Sequence, residues 1–345
     1  MKKKVGLIFG GQSAEHEVSI NSARAVYKNI DNNKYDIIPI YINKSGKLSV
    51  QESDILDKKK PLSQDSLLSF LPWSNVLNEK LDCDIYFPVL HGPNGEDGKV
   101  QALIELSGYP LVGANSLSSA LAMDKTTAKI LFQSVGLKVV PSLSFDYNDS
   151  IDDIVLQVLE KLKLPVFIKP NSLGSSVGIS KAKTRVEVVE GLKLAFKYDN
   201  RVIIEKGLSV REIEVSVMGN RDILVSKPGE LKPANDFYDY EDKYKKGKTE
   251  FNIPASLDES TEKTIMNAAI KAYKSLYLNG MSRVDFFIEL GTNDTYINEI
   301  NTIPGFTEIS MFPKLWETRN ISFKNLLSKL IEYGFEDHKR IKNNL

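Results

Sequence analysis

The chain has 345 residues, which at roughly 150 residues per domain suggests two or three domains. Its 45 basic and 45 acidic side chains balance, so we expect no nucleic acid among its partners. The single cysteine, Cys83, excludes an internal disulfide and a cysteine-only metal site. No apolar run approaches the roughly 18 residues of a membrane span, so we expect a cytoplasmic protein with no membrane partner.

Residues 1–117 predict a first domain in which strands and helices alternate. Its predicted strands are 5–9, 37–42 and 84–90, and its predicted helices are 18–30 and 99–107. Alternation of this kind is typical of a parallel sheet with helices on its faces. The first domain is therefore expected to be α/β.

Residues 118–210 and 211–345 predict two further domains. The middle one is expected to contain helices 118–135, capped by Ser118 or Ser119, and 186–196, with strands 166–169 and 202–205. The last one is expected to contain strands 213–218, 223–226, 283–290 and 295–300, with helix 259–278 and a C-terminal helix. The polar segment 228–252 is too long for a simple turn, and a long segment without periodicity is usually either disordered or a functional lid loop.

Two strands near the C-terminus carry the most informative pattern, RVDFFIEL (283–290) and TYINEIN (295–301). Alternation puts Arg283 and Asp285 on one face of the first strand, and Glu299 and Asn301 on one face of the second, shared there with Ile297. If the strands pair, two carboxylates and an amide oxygen lie together, a set that suits Mg²⁺ completed by phosphate oxygens. The alternative is a solvated sheet face with ordinary ion pairs. We call Arg283, Asp285, Glu299 and Asn301 the carboxylate face.

A glycine-serine loop, NSLGSSVG (171–178), directly follows the strand VFIKP. Small residues let backbone N–H groups approach an anion closely, and Lys169 at the strand end can reach the same anion. The pattern is not that of a P-loop. A plain connecting loop is the alternative for these residues alone.

Several single positions have an ordinary structural interpretation beside a functional one. Glu205 ends a buried strand and is either a surface carboxylate or a nucleotide contact. Lys125 is by default a solvated helix lysine, and the glycines and prolines around His91 already explain a turn. Glu15 lies in the first turn of a helix, where it either caps that helix or binds a ligand ammonium.

Several motifs occur together and in order: GGQSAEHEVS (10–19), HGPNGEDG (91–98), MDKTTAK (123–129), FIKPNSLGSSVG (167–178), IEK (204–206), FYDYEDKY (237–244), RVDFF (283–287) and NEINTIPGFTEISMFP (298–313). This combination resembles the D-alanine–D-alanine ligase family of the ATP-grasp superfamily, over nearly the whole chain. The resemblance implies an α/β, Rossmann-like N-terminal domain followed by an ATP-grasp fold of two α+β subdomains. It also implies ATP-dependent formation of D-alanyl-D-alanine through a D-alanyl phosphate, for peptidoglycan synthesis, by a homodimer.

The resemblance also implies roles for individual residues. The ligands of two Mg²⁺ ions, for which Mn²⁺ can substitute, would be Asp285, Glu299 and Asn301. Contacts to ATP would come from Lys125, Lys169, Ser176, Glu205, Lys206, Leu208, Glu212, Phe237 and Lys243. The two D-alanines would contact Glu15, His91, Arg283, Gly305, Ser310 and Met311. The catalytic set would be Glu15, Ser175 and Tyr244, which tie the lid to the site, with Arg283 and the Gly305 N–H at the tetrahedral oxyanion.

One departure from the family pattern is Gly207, where relatives often have a bulky apolar residue, so weaker packing on adenine is expected. Tyr244 favours D-alanine over D-lactate as the second substrate, while D-serine stays open. A nicotinamide dehydrogenase is disfavoured because GGQSAE lacks the G-x-G-x-x-G pattern. A non-catalytic ATP-binding regulator is disfavoured by the presence of Arg283, Ser175 and Tyr244.

Overall fold

The computed structural model describes residues 1–52, 55–58, 83–232 and 250–342. Within these ranges the strands form three sheets, each with helices packed on it. Predicted site residues Phe237, Lys243 and Tyr244 lie outside the described residues, as does most of the predicted lid.

The N-terminal sheet is built mainly from parallel strands in the order β3-β2-β1-β4. Its elements are β1 (Lys3–Gly10), α1 (His16–Asn29), β2 (Tyr35–Ile42), β3 (Leu48–Val50), α2 (Ile55–Lys58), β4 (Ile85–Pro88) and α3 (Lys99–Leu106). Only β3 runs antiparallel, to β2, at the sheet edge. Because β1 and β4 are parallel, the loops that follow them, which carry Glu15 and His91, leave the same edge of the sheet.

The single helix predicted over 118–135 is wrong, because the chain forms two helices, α4 (Ser116–Met123) and α5 (Lys125–Ser134). Asp124 has an extended backbone that ends α4, and its side chain accepts from the Thr127 N–H to cap α5. The cap of α4 is Asn115 rather than a serine. Aspartate and asparagine are strong N-caps, so each break is encoded locally. The break places Lys125 at the first position of α5.

The middle sheet is antiparallel, in the order β5-β8-β6-β7. Its elements are β5 (Ser142–Asp146), α6 (Ile151–Lys161), β6 (Val166–Pro170), β7 (Ser180–Ala182), α7 (Arg185–Ala195) and β8 (Arg201–Lys206). Its helices and strands enclose a core of their own, which includes Val158, Ile168 and Leu192. The glycine-serine loop connects β6 to β7 at one end of this sheet.

The C-terminal sheet is also antiparallel, in the order β12-β11-β9-β13-β14, with β10 beside β9. Its elements are β9 (Val210–Met218), β10 (Leu224–Val225), β11 (Gly229–Lys232), β12 (Glu250–Asn252), α8 (Glu259–Ser275), β13 (Met281–Glu289) and β14 (Thr295–Asn301). One face packs on α8, and the other carries polar side chains. The two described ends of segment 228–252 therefore pair as strands at the sheet edge.

The hydrophobic cores cut across the sequence order. Ala128 and Phe132 of α5 pack in the core of the C-terminal sheet. The last helices, α9 (Met311–Glu317) and α10 (Phe323–Lys342), pack against the N-terminal sheet. The domain boundaries at 117 and 210 stay predictions of the sequence. In the described part of the chain, no helix is both long and apolar enough to cross a membrane.

Candidate active site

A cavity of about 670 Å³ lies where the three sheets meet. It is lined by every predicted site residue in the described part of the chain: Glu15, His91, Lys125, Lys169, Ser175, Ser176, Glu205, Lys206, Leu208, Glu212, Arg283, Asp285, Glu299, Asn301, Gly305, Ser310 and Met311. Residues spread over nearly 300 positions thus converge on one space. The individual roles of these residues stay predictions.

The two strands of the carboxylate face pair antiparallel, as predicted, with Asp285 opposite Glu299 and Arg283 opposite Asn301. The prediction that Ile297 shares this face is wrong. A bulge between Asp285 and Phe286 gives β14 one extra residue, so that Ile297 pairs with Phe286 and both point into the core. Bulges of this kind reorient side chains next to functional sites.

Arg283 is held in a fork by two carboxylates. Its Nε and one terminal nitrogen donate to Asp285 at 2.7 and 2.6 Å. Its Nε is also 3.2 Å from Glu214, a residue on β9 that sequence reasoning missed and that lies directly opposite Asp285. Burial would lower the pKa of Arg283, but Asp285 and Glu214 hold that pKa well above its ordinary value. The arginine is therefore a permanent, fixed cation in the cavity wall.

The donors on the carboxylate face suit a hard cation. Asn301 donates its amide N–H to Asp285 at 3.0 Å, which holds the two side chains side by side. No group of three or more His, Cys, Asp or Glu side chains suited to a metal ion occurs in the described ranges. Two carboxylates and one amide oxygen leave positions for phosphate oxygens and water, as Mg²⁺ prefers. The residues present fit a magnesium ion that arrives with a phosphate ligand.

Opposite this face lies a buried cluster of cationic side chains around Glu205. Lys169 is 2.6 Å from one oxygen of the Glu205 carboxylate, and Lys129 is 2.7 Å from the other. Burial would raise the pKa of Glu205, but the two ammonium groups lower it to about 2. Lys129 was missed from the sequence, although its spacing of four from Lys125 on α5 puts both lysines on one helix face.

Lys125 connects the two sides of the cavity. Its ammonium donates to the Leu173 carbonyl of the glycine-serine loop at 2.6 Å and lies 3.9 Å from the Glu299 carboxylate. Thr126 fixes the same loop by donating to the Asn171 side chain at 2.6 Å. Burial lowers the pKa of Lys125, while Glu299 acts in the opposite direction. The start of α5 therefore sets the distance between the loop and the carboxylate face.

The glycine-serine loop has an unusual backbone at its tip. Ser175 and Ser176 both adopt positive φ, at 53° and 59°, a region that is uncommon for residues other than glycine. The Ser175 hydroxyl is buried, and no hydrogen-bond partner for it occurs among the described residues. Consecutive residues in such turns direct their N–H groups toward one point and can bind an anion there.

The loops after β1 and β4 form the other end of the cavity. Glu15 is buried, and its carboxylate would be 3.0 Å from a Cβ at Gly92, so only glycine leaves this room. His91 is also buried: its Nδ1 donates to the Ile303 carbonyl at 3.1 Å, and its Nε2 accepts from Ser22 at 3.1 Å. Burial lowers the pKa of His91, which favours this neutral form. The histidine thus joins the N-terminal domain to the loop after β14.

Glu96, a residue missed from the HGPNGEDG motif, also lines this end. It accepts from the Gly92 N–H at 2.7 Å. Burial and the negative charge of Glu15 raise the pKa of Glu96 to about 8. The cavity therefore contains a carboxyl group that keeps its proton near neutral pH.

Gly305 and Ser310 lie against each other in the loop that leads into α9. A Cβ at Gly305 would be 2.7 Å from the Ser310 hydroxyl, so a larger residue cannot occupy position 305 without displacing it. The Ser310 hydroxyl accepts from the Thr307 N–H at 3.1 Å. Met311 beside it is buried. The loop is therefore a compact unit in the cavity wall.

Beyond Glu205, the chain between β8 and β9 forms the end predicted for adenine. Glu212 pairs with Phe287 across β9 and β13, so an aromatic ring missed from the sequence lies beside this carboxylate. Gly207 has a structural reason: a Cβ there would lie 2.8 Å from the Pro165 carbonyl oxygen, to which its own N–H donates. The absent side chain follows from this close backbone approach.

The fold and the cavity together define a ligase of the ATP-grasp class, with an α/β domain before two antiparallel sheets that face each other. Comparisons with known families agree. Residues 4–114 match the family described as "D-ala D-ala ligase N-terminus", and residues 131–332 match "D-ala D-ala ligase C-terminus". The chain belongs to the D-alanine–D-alanine ligase family.

Individual relatives match over almost their whole length. The D-alanine–D-alanine ligase of Thermoanaerobacter sp. (strain X514) is 44% identical over 98% of both chains. D-alanine–D-alanine ligase B of Clostridium tetani is 45% identical over 98% of this chain and 95% of the relative.

Solved structures show the same fold. The VanG D-Ala:D-Ser ligase of Enterococcus faecalis has a TM-score of 0.83 at 37% identity, covering 97% of this chain and 100% of that one. The D-alanine-D-alanine ligase of Coxiella burnetii has a TM-score of 0.85 at 34% identity, covering 99% and 96%.

Proposed function

We propose that this protein uses ATP to join two D-alanines into D-alanyl-D-alanine, releasing ADP and phosphate, for peptidoglycan synthesis. The observation that carries the proposal is the 3.9 Å between the Lys125 ammonium and the Glu299 carboxylate. It joins the cationic glycine-serine side of the cavity to the oxygen-rich sheet face. A site that handles a phosphate group together with its metal ion needs both sides within reach of one ligand.

The first step activates a carboxylate, which is a poor electrophile. A carboxylate oxygen of the first D-alanine forms a bond to the γ-phosphorus of ATP, and the bond from that phosphorus to ADP breaks. Lys125 and Lys169 hold the phosphates. Asp285, Glu299 and Asn301 would hold Mg²⁺, which would supply positive charge beside the phosphoryl oxygens. Glu15 binds the ammonium of this D-alanine.

The second step forms the peptide bond. The amine of the second D-alanine attacks the acyl carbon, the C–O bond to phosphate breaks, and the departing phosphate carries away the proton that the amine loses. Arg283, which is fixed by Asp285 and Glu214, and the Gly305 N–H face the oxygen on which negative charge develops. Ser310 holds the carboxylate of the attacking D-alanine. Because the acylphosphate would hydrolyse in water, the lid predicted in segment 228–252 closes over the cavity.

The remaining features of the proposal come from the family resemblance. They are two Mg²⁺ ions, replaceable by Mn²⁺, a homodimer and a cytoplasmic location. A single cysteine is consistent with that location.

D-serine is the alternative second substrate. The VanG D-Ala:D-Ser ligase is 37% identical to this chain over 97% of it, which is as similar as the solved D-alanine-D-alanine ligase of Coxiella burnetii at 34%. Relatives named D-alanine–D-alanine ligase reach 45% identity, which supports D-alanine as the second substrate.

The test is ADP release by the purified protein with ATP, Mg²⁺ and each of D-alanine, L-alanine, D-serine and D-lactate, with the products identified by mass. Of these four compounds, we expect only D-alanine to cause ADP release when it is the sole addition, and to yield the dipeptide. If D-alanine is paired with equimolar D-serine, the mixed product should be minor. A rate of ADP release that does not depend on D-alanine, or a mixed D-alanine–D-serine product in excess of the D-alanine dipeptide, would overturn the assignment.

A further inference from the structure

Lys129 is a buried lysine that the proposed mechanism leaves without a role. It lies one helical turn after Lys125 on α5 and is only 4% exposed. Its ammonium is 2.7 Å from one oxygen of Glu205, whose other oxygen is 2.6 Å from Lys169. A lysine is rarely buried this completely unless its charge is used.

The Lys129–Glu205 pair crosses from one sheet to another. Helix α5 contributes Ala128 and Phe132 to the core of the C-terminal sheet, whereas β8 contributes Ile204 to the core of the middle sheet. The lysine therefore neutralises a carboxylate that belongs to a different packed unit. The pair joins these units directly beside the cavity.

The charges of the cluster do not cancel. Two ammonium groups share one carboxylate, and the three side chains together carry one net positive charge. Without Lys129, Glu205 and Lys169 would be a neutral buried pair, and an incoming phosphate would have to compete with Glu205 for Lys169. With Lys129 in place, Glu205 keeps a partner when Lys169 turns to another anion. Because an unpaired buried carboxylate is costly, this second partner lowers the cost of releasing Lys169.

The protonation of these side chains agrees with this reasoning. Burial would lower the pKa of Lys169, but Glu205 raises it above its ordinary value, so the ammonium keeps its proton. Glu205 stays ionised throughout the neutral range, since the two lysines outweigh the effect of burial on its pKa. The cluster therefore presents a fixed charge to a ligand.

We propose that Lys129 is a positioning residue for nucleotide binding: by holding Glu205, it leaves the charge of Lys169 available to the phosphate groups. Lys129 itself touches neither the phosphates nor the base. The inference rests on the proposed function, because it assumes that Lys169 meets ATP.

The phosphate dependence of binding tests this role. Titration calorimetry without D-alanine measures the affinities of ATP, ADP and adenosine for the wild type, Lys129→Met and Lys129→Arg. We expect Lys129→Met to bind ATP and ADP about tenfold or more weakly, with adenosine affinity unchanged. Arginine should restore most of the loss, since it keeps the charge. If Lys129→Met binds all three ligands with wild-type affinity, or loses the same factor of affinity for all three, the proposal is overturned.

Two further measurements keep the outcomes distinct. Lys138→Met removes a positive charge from an exposed lysine that pairs with Asp294, and it should leave all three affinities unchanged. If Lys129→Met does not fold, as judged by its melting transition, Lys129→Gln replaces it, because the amide can still contact Glu205. If the wild-type protein binds no ATP, the proposed function itself is refuted. If the wild type binds ATP and Lys129→Met or Lys129→Gln binds it equally well, only the role of Lys129 is refuted.

Discussion

Replacing Glu299 with glutamine tests both sides of the cavity at once. The change keeps the shape of the side chain but removes one of the two opposed carboxylates of the carboxylate face. It also removes the anion that lies 3.9 Å from the Lys125 ammonium. We expect a large loss of turnover with little change in folding, because the Glu299 side chain is 32% exposed and not part of a core.

The magnitude follows from these distances. Two unit charges 3.9 Å apart attract by about 4 kcal/mol at an effective dielectric constant of about 20. Exposure of Glu299 to water reduces this to about 1–2 kcal/mol of net interaction. Loss of a proposed Mg²⁺ ligand should raise the free energy of the transition state by a comparable amount or more. Together the two losses predict a fall in kcat/KM of about 100-fold or more.

ADP release measured across a Mg²⁺ titration is the assay. Glu299→Gln should need more Mg²⁺ for half-maximal rate and should stay far below the wild-type rate at saturation. Glu289→Gln is a matched control. Glu289 ends strand β13 of the same sheet, and its carboxylate accepts a hydrogen bond from the Thr292 hydroxyl in the turn that follows. A normal rate for Glu299→Gln at ordinary Mg²⁺, or an equal loss in the control, would refute the reasoning.

Three other substitutions test separate parts of the cavity. Ser310→Ala should raise KM for D-alanine at the second site about tenfold with a smaller effect on kcat, as measured by steady-state kinetics. A change in kcat with an unaltered KM would contradict this role of Ser310. Ser22→Ala removes the hydroxyl that donates to His91 and should lower the free energy of unfolding by about 1–3 kcal/mol, which urea denaturation measures. The pKa of Glu96 is about 8 in the folded protein against an ordinary 4.5, so the unfolded state loses its proton first and stability falls as pH rises from 4.5 to 8. Glu96→Gln should abolish this fall, at most about 5 kcal/mol; an unchanged pH profile would show that Glu96 is not its source.

Sequence alternation predicted the carboxylate face because the strand period is short and local. Arg283 and Asp285 are two residues apart, and the two strands are joined by a short turn, so their pairing needed no long-range information. The bulge that moves Ile297 to the other face could not be predicted in this way. It depends on the packing of Ile297 and Phe286 in a core that also contains Phe132 of α5, far away along the chain.

The missed residues have their effect through contacts that the sequence does not display. Lys129 and Glu96 look like surface residues in polar motifs, and only the meeting of separate elements buries them. Asp124, in contrast, carried a local signal as a helix cap inside MDKTTAK, which the prediction of one long helix overlooked. Local chemistry was thus readable where it concerned caps and alternation, and unreadable where burial came from another sheet.

The central claim is that the carboxylate face and the lysines around Glu205 hold the two ends of one metal–phosphate group. A crystal structure with Mn²⁺ and a non-hydrolysable ATP analogue tests this most directly, because Mn²⁺ is located by its anomalous signal. We predict a manganese peak about 2.1 Å from oxygens of Asp285, Glu299 and Asn301, with Lys125 and Lys169 in contact with the phosphates. A peak bound elsewhere, or phosphates out of reach of both lysines, would contradict the account.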